Sequence, residues 1–200
     1  MNNIKRNKFD FTDAIGYLAI VSIVVSLFFI GFKITGFASQ SNATVNVTVS
    51  ELEQINFTTN SVNFGTGAVS SGYPGANLTT EGEVTGGTWG AVSTPLVLQN
   101  IGNVNVSLNL TSNMNATTFI GSGADFEVKI TDTSGHTGAC TIANGFNNYK
   151  DITTTTQMVC SVLKFGAVRS IDVDVKLYIP STSSQGTKSA IITATGTAVS

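Results

Sequence analysis

Cys140 and Cys160, seven Asn-x-Ser/Thr sequons, the pair Asp172 and Asp174, a lone His136, and the aromatics Phe64, Tyr73, Trp89 and Tyr178 are the side chains here whose types could do chemistry. Two cysteines beside a single histidine are too few donors for a metal site, so a disulfide between Cys140 and Cys160 is expected. Closing a loop of that size would stabilise the fold by about 3 kcal/mol in the chain-entropy view. Asp172 and Asp174 stand two apart on one strand face. With Asp125 or Asp132 from a neighbouring strand they would form the kind of carboxylate cluster that takes Ca²⁺. No D-x-[DN]-x-[DN]-G loop accompanies them. The plainer reading is a charged outer face paired with Lys176, and no metal or other cofactor is expected. His136 sits in the turn-like Thr133-Ser134-Gly135-His136-Thr137-Gly138, with no G-x-S-x-G, H-E-x-x-H or P-loop pattern in the chain. No catalytic set is legible, and the expectation is not an enzyme. The four aromatics could stack against a sugar, but scattered aromatics in an all-β chain more often fill the core.

The sequons lie at Asn42, Asn46, Asn56, Asn77, Asn105, Asn109 and Asn115. Asn46, Asn105 and Asn109 alternate with apolar neighbours, which puts them on the polar face of a strand. Glycans there would be solvated and would shield the sheet. The alternative is that Asn and Thr simply supply polar strand faces.

What must position these residues starts at the N-terminus. Ala14 to Phe32 is an unbroken apolar run of 19 residues preceded by Lys5, Arg6 and Lys8. At about 1.5 Å per residue it spans a bilayer core of about 30 Å, and the flanking cations keep the N-terminus cytoplasmic. The competing reading is a cleaved signal peptide with a small-x-small site at Gly36-Phe37-Ala38, but such cores usually run about 7–15 residues. The expected division is a cytoplasmic stub at 1–13, a transmembrane signal-anchor helix at 14–33, a linker at 34–43 and an extracellular domain at 44–200. That domain carries six Lys/Arg against ten Asp/Glu without a basic patch, so nucleic acid is not an expected partner.

Period-2 alternation then marks strands. It runs through Val45–Val49, Ile55 and Phe57, Val62 and Phe64, Leu96–Leu98, Val104–Thr111, Phe126–Thr131, Met158–Leu163, Ile171–Ile179 and Ala190–Thr197. Residues 65–90, rich in Gly, Ser and Thr, read as long loops around one or two short strands. Eight or nine short strands with no amphipathic helix point to an all-β chain: a single antiparallel β-sandwich, Ig-like or jelly-roll, behind one N-terminal transmembrane helix.

At Leu96–Thr111 (LVLQNIGNVNVSLNLT) and Ile179–Ala198 (IPSTSSQGTKSAIITATGTA) the chain resembles uncharacterised archaeal surface proteins that pair a signal anchor with one Thr/Asn-rich β-sandwich. More distantly, the layout resembles camelysin-like and archaeal bundling-pilus subunits, which polymerise by donating a strand. That resemblance implies Thr44–Val49 as the donor. A type IV pilin-like reading, in which the apolar helix builds a filament core, fits less well because Asn7 follows Lys5-Arg6. The expected function is a non-enzymatic cell-surface protein, single-pass in the cell membrane through Ala14–Phe32, acting in envelope structure or surface contact. Self-association or contact with other envelope proteins would supply its partners. The alternative is a filament subunit assembled by strand donation or through the helix.

Overall fold

A computed structural model describes residues 50–199, together with 47, 48 and six residues of the apolar run (15, 16, 18–20 and 22). Those six are helical; Ile15, Leu18 and Ile20 are exposed, and Ser22 Oγ donates to the Ala19 carbonyl at 3.0 Å. Among the described residues no helix is long and apolar enough to cross a membrane. The expected span Ala14–Phe32 lies mostly outside the described residues, as do the stub 1–13, the linker 34–43, Asn42 and Asn46. The expected strand Val45–Val49 also falls largely outside them, and Val47 and Thr48 belong to no strand.

In the unit Val49–Ser200 the regular structure, joined by loops, is almost wholly β-strands. In chain order they are β1 (Ile55–Thr59), β2 (Gly75–Thr79), β3 (Val84–Thr85), β4 (Leu96–Asn100), β5 (Val106–Ser112), β6 (Asp125–Asp132), β7 (Cys140–Ile142), β8 (Lys150–Asp151), β9 (Gln157–Leu163), β10 (Ser170–Pro180) and β11 (Ile192–Ala198). One turn of helix, α1 (Ala116–Phe119), lies between β5 and β6. Every strand pair is antiparallel.

The larger sheet is organised around β10. Along one edge β10 pairs with β4 through Ser170–Val173 and with β2 through Lys176–Pro180. Along the other it pairs with β6 from Ile171 to Tyr178. β1 extends the sheet beyond β4, β3 beyond β2, and β8 beyond β6. The smaller sheet has the order β11-β5-β9-β7. The alternation seen in the sequence is the reason for this layout, because side chains two apart share a face. Leu78, Leu98, Val128, Ile130, Ile171 and Val173 of the larger sheet meet Val106, Leu108, Leu110, Val159 and Leu163 of the smaller in one buried cluster. Each fully buried side chain of this size contributes about 1.5–3 kcal/mol.

Three sequence expectations need correction. Val62 and Phe64 form no strand: they pack against the core from a loop, where Gly65 turns the chain with φ +73°. The strand expected from Val104 begins at Val106. The short strands β7 and β8, of three and two residues, were not anticipated.

The connection from β4 to β5 is a tight polar turn. Asn100 is fully buried; its Nδ2 donates to the carbonyls of Val104 (2.8 Å) and of Leu163 in β9 (3.2 Å), and its Oδ1 accepts from Gly102 N (3.0 Å). One side chain thus ties the two sheets together. The same turn holds the chain that enters β1. Ile101 and Gly102 donate to the Gln54 carbonyl and Asn103 N to that of Leu52; Asn103 Oδ1 accepts from Leu52 N at 2.7 Å, and Asn103 Nδ2 reaches Ser50 O at 2.9 Å. A Cβ at Gly102 would lie 2.0 Å from the Leu52 carbonyl oxygen, so the approach requires glycine.

Candidate functional site

Cys140 and Cys160 are joined, with Cα atoms 5.7 Å apart, as the sequence led us to expect. The bond staples β7 to β9 at one edge of the smaller sheet. The opposite edge, β11, pairs only with β5 among the described residues. None of β5, β7, β9 or β11 contains an Asp, Glu, Lys or Arg. Their outward positions are mostly hydroxyls and amides, including Ser107, Asn109 and Thr111 on β5 opposite Thr197, Thr195 and Thr193 on β11, with the apolar Met158 and Val162 of β9 among them.

The described sequons fall in unlike settings. Asn56 is exposed on β1, and Asn115 is exposed at the start of α1, where its Oδ1 caps Thr118 N at 2.8 Å. Asn109 lies on the outward face of β5, half-buried. Asn77 is half-buried on β2, with Nδ2 3.5 Å from Thr85 Oγ1. Asn105 is half-buried too, and its Oδ1 accepts from Phe165 N at 3.2 Å.

The acidic pair does not gather a metal site. Asp172 accepts from Thr133 Oγ1 at 2.6 Å. Asp174 is buried, not on an open charged face: its two oxygens accept from Thr80 Oγ1 (3.1 Å) and Thr131 Oγ1 (3.0 Å). Burial raises its carboxyl above the ordinary range, against the pull of those two hydroxyls. Asp132 faces elsewhere and holds the backbone N–H groups of Gly138 (2.5 Å) and Ala139 (3.2 Å). Asp125 is opposite Tyr178, and its carboxyl is raised by burial and by Glu127 and Asp151. Among the described residues no three acidic, His or Cys side chains converge on one point.

Around Asp174 the larger sheet carries a charged network. Lys176 pairs with Glu127 (2.7 Å) and not with the aspartates. Lys129 pairs with Glu81 at 2.6 Å, and Tyr149 donates its hydroxyl to the other oxygen of Glu81 at 2.8 Å. Those two hydrogen bonds hold the Glu81 carboxyl below its usual value. The Tyr149 ring lies beneath both ammonium groups, 4.8 Å from Lys129 Nζ and 5.5 Å from Lys176 Nζ. Burial and the adjacent Glu81 push the Tyr149 phenol far above its ordinary value. His136 serves the backbone. Its Nδ1 accepts from Arg169 N at 3.2 Å, which places a neutral ring's proton on Nε2.

Of the four aromatics, Phe64, Tyr73 and Trp89 line one cleft of about 1380 Å³ over the larger sheet. Tyr178 lies on the other side of β10, its ring against Gly75. The cleft floor is Leu78, Leu96, Val175 and Leu177 of the larger sheet, and its walls are the loops at 60–73 and 181–191. A Cβ at Gly67 or Gly87 would fall within 2.6 Å of the Trp89 ring, so those glycines admit the indole. Among the described residues lining the cleft only Lys188 is charged, and it donates to Ser184 Oγ. Ser183 Oγ is buried there without a hydrogen-bond partner among the described residues. A smaller groove of about 260 Å³ continues beside β11, lined by Ile55, Asn56, Phe57, Leu98, Ile192, Thr193 and Ala194. The Gly/Ser-rich composition at 65–73 and 181–189 was the signal for these loops, but nothing in it showed that they would border a cleft.

This arrangement offers a trough of mixed polar and apolar lining beside an uncharged strand edge, a shape that can seat an extended chain or a neutral ligand. No family model, curated protein or solved structure matches the chain.

Proposed function

We propose that this is a non-enzymatic cell-surface protein, anchored by Ala14–Phe32, that displays one β-sandwich of Ig-like or jelly-roll type for envelope structure or surface contact. The observation that carries this reading is the Cys140–Cys160 disulfide, since such bonds persist in oxidising compartments and are rare in the cytosol. The apolar run with its preceding cations and the sequons confined to the chain beyond it agree with an exported domain. The partners in this reading are the membrane, further copies of the chain or other envelope proteins, and no nucleic acid.

Intact mass and N-terminal sequencing of native protein from the membrane fraction test it. A retained apolar run, with added mass in hexose-sized steps, is the expected result. A mature N-terminus near Ser39 would remove the anchor. A second reading, a filament subunit, draws on the uncharged β11 edge beside a shallow groove of mixed lining, a setting in which an added strand gains backbone hydrogen bonds and some burial. It expects polymers in negative-stain micrographs, assembled by donation of Thr44–Val49 or through the apolar helix.

A further inference from the structure

We infer that β11 is a self-complementary edge, and that two copies of the chain pair β11 against β11 about a two-fold axis at Thr195. The edge alone carries this pairing, whether or not the chain is anchored.

Register fixes which backbone groups are free. Asn113 N donates to the Ile191 carbonyl and Val199 N to that of Asn105, bracketing the β11–β5 ladder in the register that sets Thr195 against Asn109. Hydrogen-bonded positions alternate along an antiparallel pair. Thr193, Thr195 and Thr197 therefore turn their N–H and C=O groups toward β5. Ile192, Ala194, Gly196 and Ala198 present theirs to the outer edge, which is unpaired among the described residues.

Exposed edges are normally guarded by charges, proline, bulges or covering segments. β11 has no charge, no proline and no register shift. Among the described residues no other backbone segment bonds to its outer edge.

Antiparallel pairing about Thr195 sets Ile192 against Ala198 of the second copy and Ala194 against Gly196. Each of these pairs brings two free positions together, giving about eight backbone hydrogen bonds across the axis. The intervening pairs are Thr193 with Thr197 and Thr195 with Thr195, all on the outward face. Thr–Thr pairs across strands are favourable. On the inward face each larger side chain meets a smaller one, beside the groove of Ile55, Phe57 and Leu98. No charge meets its own copy anywhere along the strand, which an isologous interface requires. The smaller sheet becomes a continuous sheet of eight strands. Asn109 points out of the plane of the sheet, so a glycan there leaves the edge open.

The test uses the full chain in detergent micelles. Thr195→Cys should give a disulfide-linked dimer on mild oxidation, because facing residues of an antiparallel pair have Cα atoms about 4.5–5.5 Å apart. Thr193→Cys faces Thr197 of the second copy and should cross-link at least tenfold less; Thr193→Cys with Thr197→Cys should restore it. Light scattering should give the wild type the protein mass of two chains. Thr195→Lys, which sets two ammonium groups face to face, should give that of one, with Cys140–Cys160 intact, the far-UV circular dichroism of the folded chain kept and a melting temperature that no longer depends on protein concentration. Equal cross-linking at 193 and 195, no cross-linking at either, or a wild-type monomer at tens of micromolar would each overturn the proposal. So would a mass beyond two chains without cross-linking at 195, the result that strand donation predicts. A cleaved N-terminus would remove the anchored reading and leave this one intact.

Discussion

The two sheets keep their outer surfaces wet by different means. The larger covers its central strand with a network of opposite charges: Lys129, Glu81 and Tyr149 in one cluster, Lys176 and Glu127 in another, and Asp174 buried beneath Thr80 and Thr131. The smaller has no ionisable side chain in any strand apart from the disulfide-bonded cysteines; its outer face is mostly hydroxyls and amides, with Met158 and Val162 of β9 among them. Charge specifies partners and repels identical copies, whereas a neutral hydroxyl face does neither.

The contrast can be broken in graded steps. Removing the staple should cost most. Replacing both Cys140 and Cys160 with Ala should lower stability by about 3 kcal/mol, read by urea unfolding, because the unfolded chain regains the entropy of a closed loop of about 20 residues. A loss under about 1 kcal/mol would mean that the other contacts of β7 hold that edge unaided. Asn100→Ala comes next, at about 2 kcal/mol, since it leaves the carbonyls of Val104 and Leu163 without their donor.

The charged face should respond to pH in a way the neutral face does not. Burial raises the Asp174 carboxyl, so the folded chain holds that proton more tightly than the unfolded chain does. This group therefore lowers stability as pH rises through the unfolded carboxylate range toward the raised value. Asp174→Asn cannot ionise and escapes that loss. Its melting temperature relative to wild type should climb between about pH 3 and pH 7, and a flat or falling difference would refute burial as the dominant effect. Glu81 has the opposite sign. Its carboxyl is lowered by Lys129 and Tyr149, so its contribution is present above the unfolded value and lost as pH falls. Glu81→Gln should cost about 0.5–1 kcal/mol at neutral pH, because the pair is partly exposed, and nothing near pH 3. The smallest effect belongs to the neutral face: Thr193→Val should change stability by less than about 0.5 kcal/mol in either direction.

Much of this architecture was legible in the chain. The alternation at Ile171–Ile179 marked β10, and the cysteine count gave the disulfide. What escaped notice depended on neighbours distant in sequence. Asp174 alternates with apolar residues as any solvated carboxylate on a strand would; Thr80 and the Tyr149 loop bury it, and no local pattern announces them. β7 and β8 are too short to show a period. Val62 and Phe64 do show one, but Gly65 turns the chain before a ladder can form. The cleft was illegible for a related reason: composition marks a loop without saying which side of a sheet the loop will cover. The open edge of β11 followed the same rule, since the sequence of a strand does not state how many neighbours it has.

The clip between the Asn100–Asn103 turn and residues 50–54 has a mechanical consequence. A load drawn through the chain ahead of Ser50 would meet this set of short hydrogen bonds before it reached β1. Behind the clip, the fully buried Asn100 passes the load to β9, in the other sheet. Survival under tension is governed by how slowly such a site opens and not by the overall stability of the fold. For a domain tethered at its N-terminal end, that turn would act as a mechanical fuse: where it gives way, β1 peels from β4, and where it holds, both sheets bear the pull together.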